Sequence, residues 1–483
     1  MINLFINDLF YFMPEFLFMF YLCLILTISV YLKRFLKQNA VILSITDLSI
    51  IGLFFFLITL LLKYGVPCSI SNFLLKENNT TILLKVFIVI ITIVTLVKAK
   101  YFFKTRKVTS FEMPLVILFS LFGIITAINS NDLLLTYLAL EMQSLSIYAL
   151  VASNTHSNLS AEAGLKYFIL GSFISGFLLY GISLIYLITG TTNLYTIQLL
   201  SLNNSSLITF GLSLIIAGLI FKLSAAPLHN WTPDVFDGAP TIITLFIATI
   251  PKIAVIYLMI NILHGTFYNI SEYWTTLLFV AGISSLIIGC LGGLYQNKLK
   301  RLLAYSTINN VGFILLGLAL NTKEGIELAL FYVSIYIILN IGIFAIIILF
   351  IRNKTNKELI YIRELVEVLL THPILGLTLA LNIFSLVGIP PLAGFFSKFF
   401  ILNILVINNY AIIALFALFM SVITSFYYIR LIKLLYFSKE NWNNTFYKFN
   451  EDILFIIYFI TVINISFSLD ADFVLQLINT CIK

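Results

Sequence analysis

Apolar positions in this chain run together instead of alternating. Blocks of about 20 hydrophobic residues follow one another with short polar breaks, each long enough to cross a hydrocarbon core of about 30 Å as a helix. The pattern predicts helices near 9–32, 40–62, 80–97, 114–128, 133–152, 164–188, 207–230, 241–263, 275–295, 302–320, 327–351, 373–405, 410–436 and 452–475. No interval between them can hold a soluble domain. The expected fold is an all-α polytopic membrane protein of about fourteen helices. The first block, Leu9 to Leu32, is too long for a signal peptide's apolar region and has no basic flank before it, so it is read as a retained span. Small residues at four-residue spacing, Ser285, Gly289 and Gly293, and Gly171 with Ser175, mark faces of close helix contact.

Two blocks are interrupted. In the seventh, an apolar helix carries Lys222 and is broken at Pro227, which leads into Leu228-His229-Asn230-Trp231 and on to Gly238-Ala239-Pro240. Proline lacks an N–H and its ring clashes with the carbonyl four residues earlier, so the helix has to open about one turn beyond the lysine. In the twelfth, Gly388-Ile389-Pro390-Pro391 makes the break and Lys398 follows it. Irregular backbone at membrane depth is stable only inside protein or beside water, and matching breaks in two halves point to a transport site near the midplane. Segments 4–8 then match segments 9–13, and five crossings per unit force the second copy to be inverted. The predicted organisation is a three-helix segment over 1–110, a first repeat over 111–265, a second over 266–440 and a C-terminal helix in 441–483.

Composition agrees with this class: 61% of positions are hydrophobic and 10% charged, where soluble domains hold about 45–50% and about 25%. The net charge of +7 does not imply nucleic acid, because the basic residues sit in short loops and not on one face of a folded module. They favour alternate loops. Odd-numbered loops hold nineteen Lys and Arg against three in the even ones, which places the odd loops, Lys98 to Lys107 among them, on the cytoplasmic or matrix side and both termini opposite. Cys23, Cys68, Cys290 and Cys481 stand singly without metal or redox spacing and read as small core residues.

Each charge at depth then needs a reason. An ammonium in the bilayer costs about 2.5–3.5 kcal/mol on insertion scales, so an intramembrane lysine faces a partner or a water path. Lys222 sits where the end of a half-helix turns partial negative charge towards it while burial opposes its charge, which makes it a candidate proton site. A snorkelling lysine beside an ordinary kink is the competing reading. Glu141 lies nine residues after Asp132, about 13 Å into the fifth helix. It has to be paired, with Lys222 the natural partner, or else protonated. Lys252 lies on a stripe with Thr244 and Ala248 that can hold water, and Ser306, Asn309 and Asn310 offer further polar partners on helix ten. His229 either passes a proton between Lys222 and Lys252 or caps broken backbone. Asp234 and Asp237 read as solvated turn residues and Lys85 as a snorkelling lysine, while Lys166, near an end of the sixth helix, reads equally as a snorkelling or a functional lysine. There is no Gly-x-Gly-x-x-Gly turn, no P-loop and no histidine pairing for haem, so no nucleotide or redox cofactor is expected in this chain. The expected chemistry is ion movement.

At Glu141 to Leu150, Ala161 to Tyr167, Phe221 to Pro240, Ile250 to Lys252, Arg301 to Thr307 and Gly388 to Lys398, the chain resembles the subunit 2 family of respiratory NADH:quinone oxidoreductase, complex I. The stretch Pro227 to Pro240 separates it from the related subunits 4 and 5, whose equivalent loops run Trp-Leu-Pro. The resemblance implies an antiporter-like subunit with inverted five-helix repeats and discontinuous helices seven and twelve. It carries proton-channel roles onto Glu141, Lys222, Lys252 and Lys398. It also implies other membrane-arm subunits as partners, antiporter-like neighbours among them, with NADH, FMN, iron–sulfur clusters and ubiquinone bound elsewhere in the complex. One departure stands out: helix ten has Asn310 where the family usually has a histidine. The abundance of Ile, Phe, Asn, Lys and Tyr, as an AT-rich genome encodes, points to an organelle and so to the mitochondrial inner membrane. A bacterial plasma membrane is the alternative location, and a subunit of a multisubunit cation/proton antiporter the alternative function.

Overall fold

In a bilayer only a helix or a closed barrel satisfies its own backbone N–H and C=O groups, and the long apolar blocks fold accordingly. The computed structural model describes residues 12–35, 37–64, 68–70, 74–106, 110–154, 157–200, 206–351, 358–437 and 451–467. Lys107, Cys481 and the last part of the fourteenth predicted helix lie outside the described residues. The main helices are α1 (Met13–Phe35), α2 (Gln38–Leu62), α3 (Asn79–Arg106), α4 (Met113–Asn129), α5 (Leu133–Val151), α6 (Asn158–Thr189), α7 (Ser206–Leu223), α8 (Trp231–Gly238) and α9 (Thr241–Met259, continued by a π-helix over Ile260–Thr266). They continue as α10 (Ser271–Leu294), α11 (Leu299–Ala319), α12 (Lys323–Leu349), α13 (Pro373–Val387), α14 (Ala393–Ile407), α15 (Ala411–Phe437) and α16 (Glu451–Ser466). Among the described residues eleven spans are long and apolar enough to cross a membrane alone. The shorter α4, the interrupted pair α13 and α14, and α16 complete the fourteen segments of the hydrophobic pattern.

Three local departures have simple causes. Nothing in residues 98–106 breaks a helix, so α3 continues to Arg106 and Lys98 lies fully buried on it instead of in a basic loop. The seventh helix ends at Leu223, with Ser224 at φ 66°; residues 224–230 of the predicted segment are irregular, and the short helix α8 follows them. Between α2 and α3 a small antiparallel hairpin pairs β1 (Cys68–Ile70) with β2 (Leu75–Glu77), too short to register in the hydrophobic pattern. The small-residue faces are where the spacing put them. A Cβ on Gly289 would lie 2.6 Å from the Asn309 backbone nitrogen of α11, and one on Gly171 would meet the Tyr148 hydroxyl of α5. Of the cysteines, Cys290 is a core residue as expected, whereas Cys23 lies exposed on α1.

The chain divides into two units, Met1–Lys222 with Ile250–Trp274, and Leu223–Thr249 with Thr275–Lys483. In the first unit, Lys85 does not snorkel. It is fully buried and ion-paired to both Glu15 of α1 and Glu77 of β2, while Lys63 also pairs with Glu77 and Asn129 donates to Glu15 at 3.2 Å. The start of α1, the α2–α3 connection and the end of α4 therefore share one end of that unit, as alternating loops require. In the second unit, Asp234 and Asp237 are not solvated turn residues. They lie one turn apart on α8, where Arg301 pairs with both at 2.8 and 3.1 Å and Lys298 with Asp237 at 2.7 Å. Arg430 at the end of α15 reaches Asn297 at 2.8 Å, so three odd-numbered loops gather at one end.

Candidate functional site

The first unit builds its site on α5, α7 and α9. Asp132 caps α5, its Oδ1 accepting from the N–H groups of Leu134 and Leu135 at 2.9 and 3.2 Å, and this fixes where Glu141 falls along the helix. Glu141 is half-buried, on a stripe with the exposed Leu134, Leu138 and Leu145. Lys222 is buried next to the end of α7, where the last carbonyls have no helical donor. Its Nζ stands 5.8 Å from the centroid of the Tyr148 ring and has no hydrogen-bond partner among the described residues. The expected Glu141–Lys222 pair is thus an electrostatic neighbourhood and not a contact. The Glu141 charge bears on both Lys222 and Tyr148, and the aromatic ring holds the ammonium by a cation–π contact. Tyr148 is fixed edge-on against Tyr167, with centroids 4.6 Å apart, and Tyr167 stacks on Phe221 beside the lysine. Nothing singled Tyr148 out among 25 tyrosines, although it follows Glu141 by two turns and so shares its side of the helix.

Lys252 is buried on α9 immediately after Pro251, whose ring frees the Ile247 carbonyl from the helix ladder. Thr244 keeps its hydroxyl on the Thr241 carbonyl at 2.7 Å, so part of the expected polar stripe is occupied by backbone. His229, in the second unit, is half-buried and sets Nδ1 3.2 Å from the Pro227 carbonyl, a local contact that covers broken backbone.

The second unit centres on Lys398. Helix α13 ends in Gly388 at φ 92°, a left-handed cap only glycine takes without strain, and α14 begins after the prolines. The ammonium of Lys398 reaches back from α14 to the carbonyls of Leu386 and Val387 at 2.7 and 2.8 Å, which the helix itself leaves without donors. The facing helix end is also satisfied: Ser385 Oγ accepts from Gly394 N–H at 2.9 Å and Asn464 Oδ1 from Ala393 N–H at 3.2 Å. Gly394 is required there, since a Cβ would fall on the Ser385 carbonyl. Lys398 also lies 5.8 Å from the Phe313 ring and lines a cavity of about 10 Å³ with Asn310, Tyr332, Tyr336, Ser385 and Ser397. A cation, helix-end carbonyls and uncharged hydroxyl and amide groups around one small cavity can bind, hold and pass a proton.

The family described as NADH:quinone oxidoreductase/Mrp antiporter, TM, matches residues 130–424. The chain belongs to this family. Members similar to it include NADH-quinone oxidoreductase subunit N of Pelagibacter ubique, 40% identical with 80% of this chain and 82% of that protein covered. NADH-ubiquinone oxidoreductase chain 2 of Marchantia polymorpha is also 40% identical, with 80% of each covered. Among solved structures, a chain of respiratory complex I from Thermus thermophilus superposes with a TM-score of 0.77 at 26% identity, covering 94% of this chain and 98% of that one. A chain of the Mrp complex from Dietzia sp. shares the fold, with a TM-score of 0.79 at 17% identity and 97% of each chain covered. The match from residue 130 to 424 takes in both broken helices and all of Glu141, Lys222, His229, Lys252 and Lys398.

Proposed function

We propose that this chain is a proton-translocating subunit of the membrane arm of an NADH:quinone oxidoreductase, driven by quinone reduction in other subunits. The observation that carries the reading is the pair of broken helices, each with a lysine buried at the break, in a chain 40% identical to subunits bearing that enzyme's name. Lys222, Lys252 and Lys398 are the proton-holding groups, Glu141 sets the field at Lys222, and His229 supports the opened backbone. Glu141 sits among exposed leucines, where hydrocarbon would leave a carboxylate unsatisfied, so a neighbouring membrane-arm subunit covers that face. NADH, FMN, iron–sulfur clusters and ubiquinone belong to partner subunits in this reading. The location is the mitochondrial inner membrane, supported by the residue bias of the chain. Affinity purification of the tagged chain from its own membrane, followed by mass spectrometry, tests the assignment. Flavin- and iron–sulfur-bearing subunits are expected to copurify. Recovery with other membrane subunits only, together with sodium-driven proton exchange in vesicles, would replace it with an antiporter.

A further inference from the structure

Lys222 is held differently from Lys85 and Lys398. Lys398 spends two ammonium hydrogens on helix-end carbonyls and Lys85 pairs with two carboxylates, whereas Lys222, only 7% exposed, makes no hydrogen bond from Nζ among the described residues. What faces it is the Tyr148 ring, with the centroid 5.8 Å from Nζ, and the charge of Glu141. Glu141 and Tyr148 of α5 and Tyr167 of α6 are the titratable groups that stand around it. The Tyr148 ring is itself clamped. Tyr167 and Phe168 meet it edge-on, with centroids 4.6 and 5.8 Å away and planes at 86° and 82°, and Tyr167 is backed by Phe221, the residue before the lysine. Its hydroxyl lies beside Ser144 and in a notch of α6 that glycine leaves open: a Cβ on Gly171 would overlap the hydroxyl oxygen and lie 2.6 Å from Cζ.

We propose that Tyr148 is a positioning residue that seats Lys222 through its charge alone, and that Gly171 sets the depth of the seat. The inference rests on the function proposed above and names what holds the lysine of the first unit. The quadrupole of an aromatic ring attracts a cation at its face, within about 6 Å of the centroid, and does so more strongly out of water. A neutral amine offers that quadrupole no charge to hold. A carbonyl, by contrast, accepts an N–H from the amine as well as from the ammonium, so Lys398 keeps partners in both states. Lys222 keeps its seat only while protonated. The tyrosine hydroxyl takes no part in the attraction. It fills the notch over Gly171, and this fixes how far the ring stands from α6 and hence from the ammonium.

The test uses the intact complex in sealed membrane vesicles, with proton pumping per electron followed as a function of pH in Tyr148→Leu, Tyr148→Phe, Gly171→Ala, the double variant Gly171→Ala with Tyr148→Phe, and Lys222→Met. Loss of the ring disfavours the ammonium, so the alkaline limb of the profile moves to lower pH. For Tyr148→Leu the expected shift is about half a pH unit or more. Tyr148→Phe keeps the aromatic face and is expected to shift less. Gly171→Ala keeps the tyrosine but displaces it, and is expected to shift the limb in the same direction as Tyr148→Leu. Adding Tyr148→Phe, which removes the overlapping oxygen, should reverse part of that shift. A general loss of packing would lower pumping at every pH and leave the limb where it was. Should Tyr148→Leu fail to assemble, Gly171→Ala with and without Tyr148→Phe decides. An assembled Tyr148→Leu or Gly171→Ala complex with the wild-type limb, or equal shifts in Tyr148→Leu and Tyr148→Phe, overturns the seat and, with Lys222→Met pumping poorly, leaves the function standing. Full pumping in Lys222→Met overturns the function proposed for this site.

Discussion

A buried lysine is the most legible residue a membrane sequence can carry, because desolvation makes each one an exception. Lys222, Lys252 and Lys398 were readable for that reason, and all three are buried. The groups around them were not. Tyr148 beside Lys222 and Tyr332 beside Asn310 carry no formal charge and belong to a chain with 25 tyrosines, so only three-dimensional placement separates them from core aromatics. Lys85 shows the converse error. It stands near the start of its helix, where snorkelling is the ordinary expectation, and its two carboxylate partners lie outside that helix. The distinction between contact and field also bears on Glu141. Since no ion pair closes between Glu141 and Lys222, Glu141→Gln removes a field and leaves packing untouched. Pumping linked to respiration is expected to fall several-fold while the assembled complex, followed on native gels, stays at its normal level. Undiminished pumping in the assembled variant would remove Glu141 from the mechanism.

At the scale of elements, proline and glycine announced the two interruptions, because backbone chemistry fixes them wherever they occur. The extent of α3 and the hairpin of β1 and β2 were not announced. Helix continuation past Lys98 depends on what covers it, and two three-residue strands are too brief for a period to be read. That hairpin presents Glu77 to Lys85, and removing one member of such a buried set costs about 3–5 kcal/mol by leaving a charge uncompensated. Lys85→Met is therefore expected to lower the amount of assembled complex sharply. A triple variant that also carries Glu77→Gln and Glu15→Gln should recover part of it, as measured by immunoblot after membrane extraction. The contact of α10 with α11 makes a second prediction of this kind. Gly289→Val places methyl groups where the Asn309 backbone lies 2.6 Å from the Cβ position, and overpacking of that sort costs about 1–3 kcal/mol. Its melting temperature in detergent should drop, whereas Gly190→Ala, with open space around the Cβ, tests only the cost of a left-handed backbone at φ 66°.

At the scale of the whole molecule, alternating loop charge sets the expected orientation, and the gathering of Arg301, Lys298 and Arg430 at one end of the second unit agrees with the alternation of the loops. In mitoplasts, protease added outside is expected to spare the connection between α10 and α11 until matrix markers are also lost. Earlier cleavage there would reverse the orientation. Orientation sets the work to be done, since moving one charge against 100 mV costs about 2.3 kcal/mol. That cost falls on every proton-holding group in the path, but electron transfer in leaky membranes does not bear it. Lys252 discriminates best between the two, because its span is buried throughout and Pro251 opens the backbone ladder of the same helix. Lys252→Met keeps the length and apolar volume of the side chain and deletes the charge. Quinone reduction in uncoupled membranes is expected to persist at least in part, while pumping into sealed vesicles falls sharply as the opposing potential grows. A variant that pumps as many protons per electron as the wild type, at every potential tested, would show that no proton passes through Lys252.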